Sequence, residues 1–145
     1  KPRNDKDDLN YFNKIIKRLT PIEKMSFLEL YAIFMGKAQI VELSLVGLLI
    51  HKYKYSESKV EKFTLGTIIK ELERCGLRPD LIALLRELLK YRNSLAHEFL
   101  GVTAMGNKLA GINFERLQYK ELSRALYQVE QVIQVYDFLI ENNYI

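Results

Sequence analysis

The apolar residues along this chain recur at intervals of three and four, which is the spacing of one face of an α-helix. No segment alternates apolar and polar residues for long enough to predict a strand, and residues that favour helices dominate throughout. The pattern predicts an all-α fold, an antiparallel bundle of four to five helices. At 145 residues, the chain is long enough to form one domain with a substantial core.

Two helices are predicted in the first third of the chain. The first covers about residues 8–19, with Asp7 and Asp8 as its candidate caps. The stretch Thr20–Glu23 then forms a capping box with proline at the first helical position. We expect this box to begin the longest helix, which extends to about Tyr53.

The segment that follows the long helix, His51–Lys62, is polar and charged, which predicts a loop or a frayed helix end. Within it, Tyr53 and Tyr55 alternate with Lys52 and Lys54, a pattern that can stack bases and hold phosphates. Packing of the two tyrosine rings against a helix end is the favoured interpretation. The two lysines remain secondary candidates for substrate binding.

Two further helices have recognisable boundaries. Thr64 can cap a helix over residues 65–75, and Gly76 stands at the position where glycine commonly ends a helix. Pro79 begins the next helix, which we expect to continue to about Leu100.

The last third of the chain combines a connection with one long helix. Gly101, Gly106 and Gly111 do not have the spacing of a phosphate-binding loop, so they indicate a flexible connection. Asn113 is a candidate cap for the final helix. An apolar stripe on that helix, predicted to be core or dimer seam, comprises Leu122, Ala125, Val129, Val132, Tyr136 and Leu139.

Positive charge is unevenly distributed along the chain, which has a formal net charge of +4 and a pI near 9.1. Residues 51–92 hold ten Lys or Arg against six Asp or Glu, whereas residues 93–145 hold four against six. The basic half leads into Arg92, where it would attract phosphate groups. An ordinary solvated surface of mixed charge accounts for the same distribution.

The few cysteines and histidines of the chain limit its cellular location and the disulfides and metal sites that it can form. Cys75 is the single cysteine, so an internal disulfide is excluded, and its usage favours a reducing, cytoplasmic location. The two histidines do not have the spacing of metal ligands, so no metal site is predicted.

The most apolar window of the chain, residues 31–50, carries Lys37 and Glu42 in its middle. Charges at these positions predict a buried core helix and no membrane contact. No signal peptide is recognisable.

An arginine interrupts the apolar face of the predicted helix that begins at Pro79. On a helix over residues 81–100, Arg92 lies near the middle of a sector formed by Leu81, Leu84, Leu85, Leu88, Leu89, Leu95, Ala96, Phe99 and Leu100. A guanidinium stays charged and is costly to desolvate, so it must be paired, at an interface, or in contact with a ligand. An interhelical ion pair, for example with a glutamate of the last helix, is the structural alternative.

Other polar residues surround this arginine. Asn93 and His97 are four residues apart and share one flank of the helix, together with Arg86. Arg86 and Lys90, on the approach to this segment, are further candidates to bind substrate. Arg92 and His97 lie about 140° apart on a regular helix, so one chain alone splays them.

The segment from Arg92 to His97, RNSLAH, resembles the signature of the HEPN superfamily, in which an arginine and an adjacent polar residue precede a histidine near the end of the third core helix. The order of helices over residues 22–145 is also similar, with residues 1–21 as an N-terminal helical extension. The resemblance implies a HEPN-like bundle that forms a homodimer, with the motif helices of the two protomers facing each other across a cleft.

Many HEPN members are metal-independent ribonucleases of toxin, abortive-infection or RNA-processing systems. The resemblance therefore implies RNA as a substrate, no cofactor, and a catalytic role for Arg92, Asn93 and His97. Imidazole titrates near neutral pH, so His97 would act as general base or acid in transesterification. Arg92 would donate hydrogen bonds to the phosphoryl oxygens, and Asn93 would orient the histidine or the phosphate.

Other HEPN members are not catalytic. The alternative function is therefore a module that binds nucleotide, nucleic acid or a protein partner such as a nucleotidyltransferase antitoxin. Members modified by such a partner carry a tyrosine two residues after the histidine, where this chain has Phe99, so we do not expect that regulation. A structural helical adaptor is the third hypothesis.

Overall fold

A computed structural model describes residues 5–20, 25–105 and 114–145, with only the backbone described for residues 5, 7, 98–105 and 114–118. Within these ranges all regular structure is helical, which confirms the predicted all-α class. The helices in chain order are α1 (Asp5–Leu19), α2 (Phe27–His51), α3 (Glu57–Val60), α4 (Leu65–Arg74), α5 (Pro79–Met105) and α6 (Phe114–Glu141).

The two longest helices, α5 and α6, pack side by side in opposite directions. Ser94, in the second half of α5, donates a hydrogen bond of 2.8 Å to Glu121 near the start of α6. Further along α6, Gln128 donates to the carbonyl of Leu84, near the start of α5, at 2.7 Å. A short turn after α4 reverses the chain into α5, so α4 and α5 are also antiparallel.

Helix α2 runs parallel to α6, so this pair departs from the predicted antiparallel bundle. Tyr119 near the start of α6 donates to the carbonyl of Met25, just before α2, whereas Tyr136 donates to the carbonyl of Ser44, late in α2. The segment between α2 and α4 contains the short helix α3. This connection returns the chain along the bundle, so that α4 again follows the direction of α2.

The start of α2 differs from the prediction. Ser26, not Thr20, caps this helix, and its hydroxyl accepts a hydrogen bond from the backbone N–H of Glu29. Thr20 instead ends α1, where its hydroxyl donates to the carbonyl of Ile16 at 2.8 Å. Both Thr20 and Ser26 have glutamate three residues later, so the local capping signal does not distinguish them.

The boundaries around α4 agree with the sequence. Thr64 caps α4 by accepting from the N–H of Thr67, and Gly76 has φ +88°, a left-handed conformation that suits glycine at a helix end. Pro79 begins α5, and Asp80 accepts a hydrogen bond from the N–H of Leu81 at 2.8 Å. Helix α5 then extends beyond the predicted end at Leu100, through Gly101 to Met105.

The remaining predicted boundaries have mixed outcomes. Asp7 and Asp8 lie inside α1, so they do not precede it as caps. The predicted loop after α2 contains the one-turn helix α3. Asn113, Gly106 and Gly111 lie outside the described residues.

The core is formed by the facing sides of the long helices. Five of the six stripe residues of α6 are buried, and Tyr136 is half-buried, so this stripe is core. Buried leucines and isoleucines of α2, α4 and α5 complete it. The members with no exposed area include Phe34, Leu45, Leu49, Leu65, Ile68, Leu72, Leu81, Leu85 and Leu88.

Helix α2 is apolar around most of its circumference, and only one side of it is buried. Phe34 and Leu45 lie in the core, while Leu28, Ile40 and Leu43 are each at least 60% exposed. By length and composition this helix could cross a bilayer, a test that the core helix of a water-soluble protein also passes. The predicted buried core helix is therefore correct for one face of α2.

A buried carboxylate joins three helices. Glu130 of α6 has no exposed area and forms ion pairs with Lys37 of α2 and with Arg18 of α1, the latter at 3.0 Å. The lysine that interrupts the apolar window of α2 is thus the partner of a buried charge. This cluster fixes α1 and α2 against α6.

Candidate functional site

The segment from Arg92 to His97 lies within one unbroken stretch of α5. Leu88 and Leu95 are buried in the core, which sets the rotation of the helix about its own axis. Because the helix is regular through these residues, Arg92 and His97 remain splayed by about 140°. The structure therefore does not bring the arginine and the histidine of one chain together.

Arg92 faces α2 and forms a long contact there. Its Nη2 lies 3.9 Å from Oε2 of Glu42, and the two side chains are 35% and 23% exposed. A separation of this size is an ion pair without a hydrogen bond, and its partial exposure weakens it further. The structural alternative, an interhelical ion pair, is therefore present in this long form, and its carboxylate belongs to α2.

Asn93 and His97 lie on the outward face of α5 and are exposed. Lys90 and Arg86 share this face, since the four residues follow at helical intervals of three and four. Among the described residues, Lys90, Asn93 and His97 have no hydrogen-bond or ion-pair partner. Arg86 forms an ion pair with Glu73 of α4. Two of the three predicted motif residues, Asn93 and His97, therefore lie with two predicted binding residues along one solvent-facing strip.

Helix α4 is short, and it begins close to the candidate site. Gly66 in its first turn packs against α5, where a methyl group added to this glycine would lie 3.6 Å from Cδ2 of Leu89. Arg92 follows Leu89 by almost one turn, so it lies just beyond the N-terminal end of α4. At this level, between α2 and α5, the side chains of Arg92 and Glu42 are both partly exposed.

Lys52 and Lys54 lie at the opposite end of the bundle from His97. Lys52 follows the last residue of α2, which places it about 15 Å beyond Glu42 along the helix axis. Both lysines are exposed, and Lys54 has φ +60°. The structure does not place these two lysines with Arg92 and His97.

The tyrosines between those lysines pack into the fold. The hydroxyl of Tyr55 lies 3.5 Å from the sulfur of Cys75 and donates to Glu71 at 2.6 Å. The hydrogen bonds with Cys75 and Glu71 raise the pKa of Tyr55, and the bond from Tyr55 lowers the pKa of Glu71. The exposed guanidinium of Arg74 also contacts Glu71 at 2.6 Å. Tyr55 is thus held in place, as the favoured interpretation predicted.

A groove between α5 and α6 was not found from the sequence. It has a volume of about 420 Å³ and is lined by Glu87, Tyr91, Ser123, Arg124, Tyr127 and Gln128. Tyr91 directly precedes Arg92, so the groove lies on the flank of α5 next to the motif. The pairing of two distant helices creates it, and only the proximity of Tyr91 to the motif could have hinted at it.

Within the part of the chain that the structure describes, no group of three or more His, Cys, Asp or Glu side chains is arranged to hold a metal ion. Comparison with known proteins finds no matching family model, no matching curated protein and no matching solved structure. Function is therefore inferred from the residues themselves.

Proposed function

We propose that this protein is a metal-independent endoribonuclease of the HEPN type, with an active site composed from two copies across a homodimer cleft. The exposure of its three motif residues supports the proposal. Asn93 and His97 are exposed on an unbroken helix, and Arg92 is partly exposed with a carboxylate 3.9 Å away. The three side chains that the proposed RNA cleavage needs are thus accessible to a ligand.

The proposed reaction is transesterification at an RNA phosphodiester. His97 takes the proton of the 2′-hydroxyl or protonates the departing 5′-oxygen, for which an imidazole is suited near neutral pH. Arg92 donates hydrogen bonds to the phosphoryl oxygens as negative charge develops on them. Asn93 orients the histidine or the phosphate. Lys90 and Arg86, on the same face, attract the RNA backbone.

The homodimer is needed because one chain splays the arginine and the histidine. The partly exposed surface around Arg92 and Glu42, beyond the N-terminal end of α4, supplies a place for the second copy. Ala96 of α5 and Met35 of α2, which share helix faces with Arg92 and Glu42, are only half-buried there. A two-fold related copy seated on this side brings each Arg92 towards the partner's copy of the motif, and it covers these apolar side chains.

The first experiment measures cleavage of single-stranded RNA in the presence of a metal chelator. We expect cleavage by the wild type and a loss of at least about 100-fold in Arg92→Ala and His97→Ala. His51→Ala is the matched control, since His51 is the other histidine and is exposed at the end of α2. Full activity in both motif variants, or loss of activity in the control alone, contradicts the proposal.

A second experiment tests whether the site is shared between copies. Arg92→Ala and His97→Ala proteins are mixed under conditions that exchange subunits. If each site takes its arginine and histidine from different chains, a mixed dimer retains one intact site, and about a quarter of the wild-type activity returns. A site contained in one chain gives no recovery.

The second candidate function is a non-catalytic module that binds RNA, nucleotide or a partner protein, including an antitoxin, through the same face. The separation of Arg92 from His97 within one chain favours it. Binding of intact RNA that weakens steeply with salt, without cleavage, would support this candidate. A cytoplasmic location belongs to both candidates.

A further inference from the structure

The groove between α5 and α6 combines aromatic walls with polar groups that lack partners. Tyr91 of α5 and Tyr127 of α6 are both half-buried there, which leaves part of each ring accessible. Its volume of about 420 Å³ lies within the range of sites for small ligands. Aromatic rings in an open groove are suited to stacking with planar groups, such as nucleobases.

The amide of Gln128 provides a buried acceptor in the wall of this groove. Gln128 is 3% exposed, and its Nε2 donates to the carbonyl of Leu84 at 2.7 Å, which determines the orientation of the amide. Its Oε1 is buried and has no hydrogen-bond partner in the described part of the chain. A buried acceptor left in this state costs about 1–3 kcal/mol. Because Oε1 has almost no accessible surface, a ligand N–H offsets this cost when binding moves the neighbouring side chains aside.

The carboxylate of Glu87 is a second hydrogen-bond acceptor in the groove, and it also favours a ligand with N–H donors. Glu87 lines the groove and forms no ion pair with any described residue, so its carboxylate is available to accept hydrogen bonds. Two acceptors favour a base that carries an exocyclic amino group, because that group offers two N–H donors. Adenine, cytosine and guanine have one, and uracil does not.

Basic residues flank the groove on both helices. Arg124 lines it and Lys120 precedes Arg124 by one turn of α6, while Lys90 stands beside Tyr91 on α5. All three are exposed, and no described carboxylate pairs with them. Cations around stacked aromatic rings are the usual arrangement for single-stranded nucleic acid.

The groove is close to the motif along the same helix. Tyr91 precedes His97 by less than two helical turns, which is about 9 Å along the helix axis. A single strand with one base in the groove can therefore continue past Lys90 to the exposed face that carries Asn93 and His97.

We propose that the α5–α6 groove is a base-binding subsite that holds one unpaired, amino-bearing base of a single-stranded RNA, with flanking phosphates on Lys90, Lys120 and Arg124. The choice of RNA rests on the proposed function. The subsite itself does not require that the RNA be cleaved.

The test measures binding of labelled RNA to His97→Ala protein, in which the strand stays intact. Oligomers of adenine, cytosine and uracil are compared as ligands. Within this protein, Tyr91→Leu removes the ring and Tyr91→Phe keeps it as a matched control. Arg124→Gln removes a flanking cation, and Lys70→Gln removes an exposed cation of α4 as its control. Thermal melting verifies that each variant is folded.

We expect Tyr91→Leu to weaken binding of the adenine and cytosine oligomers by about five- to a hundredfold, with Tyr91→Phe unchanged. Arg124→Gln should weaken binding several-fold and reduce the salt dependence by about 0.7 in log–log slope, unlike Lys70→Gln. The uracil oligomer should bind more weakly than the other two.

The outcomes separate this proposal from the proposed function. If wild-type protein cleaves RNA while Tyr91→Leu and Arg124→Gln bind normally, the subsite is refuted and the nuclease stands. If RNA is bound with the expected dependences but never cleaved by the wild type, the subsite stands and the nuclease is refuted. Absence of RNA binding overturns both. Equal binding of the uracil oligomer overturns the assigned base preference.

Discussion

Two places in this bundle hold a charge among apolar side chains, and they differ in how well that charge is paired. Glu130 has no exposed area and two cationic partners, Lys37 and Arg18. Arg92 lies among the leucines of α5, yet it is 35% exposed and its partner Glu42 is 3.9 Å away.

The difference separates a structural charge from one that remains available to a ligand. A fully buried charge must be compensated within the fold, because desolvation without partners costs several kcal/mol. A partly exposed guanidinium keeps some of its hydration and depends little on its carboxylate. Arg92 can therefore exchange Glu42 for a phosphate at little cost in stability, whereas Glu130 cannot exchange its partners.

The largest expected effect is at the buried charge. We expect Lys37→Met to lower the free energy of unfolding by about 3 kcal/mol, because it leaves the Glu130 carboxylate buried with only the more exposed Arg18. Urea denaturation measures this. In a Glu130→Leu background the same substitution should cost much less. An equal cost in both backgrounds would show that packing, not charge, is responsible.

A smaller effect on folding is expected at Arg92. Arg92→Ala should change the free energy of unfolding by less than about 1 kcal/mol in either direction, because the contact with Glu42 is long and partly exposed. Denaturation of the same preparation used for the RNA assay tests this. A loss approaching that of Lys37→Met would mean that Arg92 is a structural residue.

Removal of the Glu42 carboxylate tests whether the ion pair with Arg92 is needed for function. Glu42→Gln keeps the size of the side chain and releases the guanidinium of Arg92. We expect RNA cleavage or binding within about threefold of wild type, and a stability change below about 0.5 kcal/mol. Loss of activity as complete as in Arg92→Ala would show that the ion pair positions the arginine for its function.

The smallest expected effect is at the surface cluster around Tyr55. Its hydrogen bond lowers the pKa of Glu71, so this carboxyl stabilises the fold above its unfolded pKa, about 4.3, and loses that contribution as pH falls through the lower folded pKa. Tyr55→Phe should therefore be slightly less stable at pH 7, and the difference should vanish in acid. Urea denaturation at several pH values measures it. A difference independent of pH would exclude this linkage.

Local signals were sufficient where the capping residues had no competitor. Helix α4 begins after Thr64 and ends just before Gly76, as predicted. A hydroxyl at the N-cap and a left-handed glycine at the C-terminus both act within one turn of the chain. The apolar stripe of α6 was also correct, since helical spacing alone determines which residues share a face.

Local signals failed where two of them competed or where the partner lay elsewhere in the chain. Thr20 and Ser26 each offer a capping box, and in the structure Ser26 caps α2. The sequence allowed an interhelical ion pair for Arg92 without identifying its carboxylate, and the packing of α2 against α5 brings Glu42 to it. No spacing in the sequence encodes that arrangement.

The amino-acid sequence by itself determined the helical class, both ends of α4, the start of α5, and the splay of Arg92 and His97, since these follow from interactions within a few residues. Only the tertiary structure decided the direction of α2, the pairing of Glu130 with two distant cations, the exposure of Arg92 beyond the N-terminal end of α4, and the groove beside Tyr91. Each of these depends on residues far apart in the chain, which meet only when packing of the core fixes how the helices are placed.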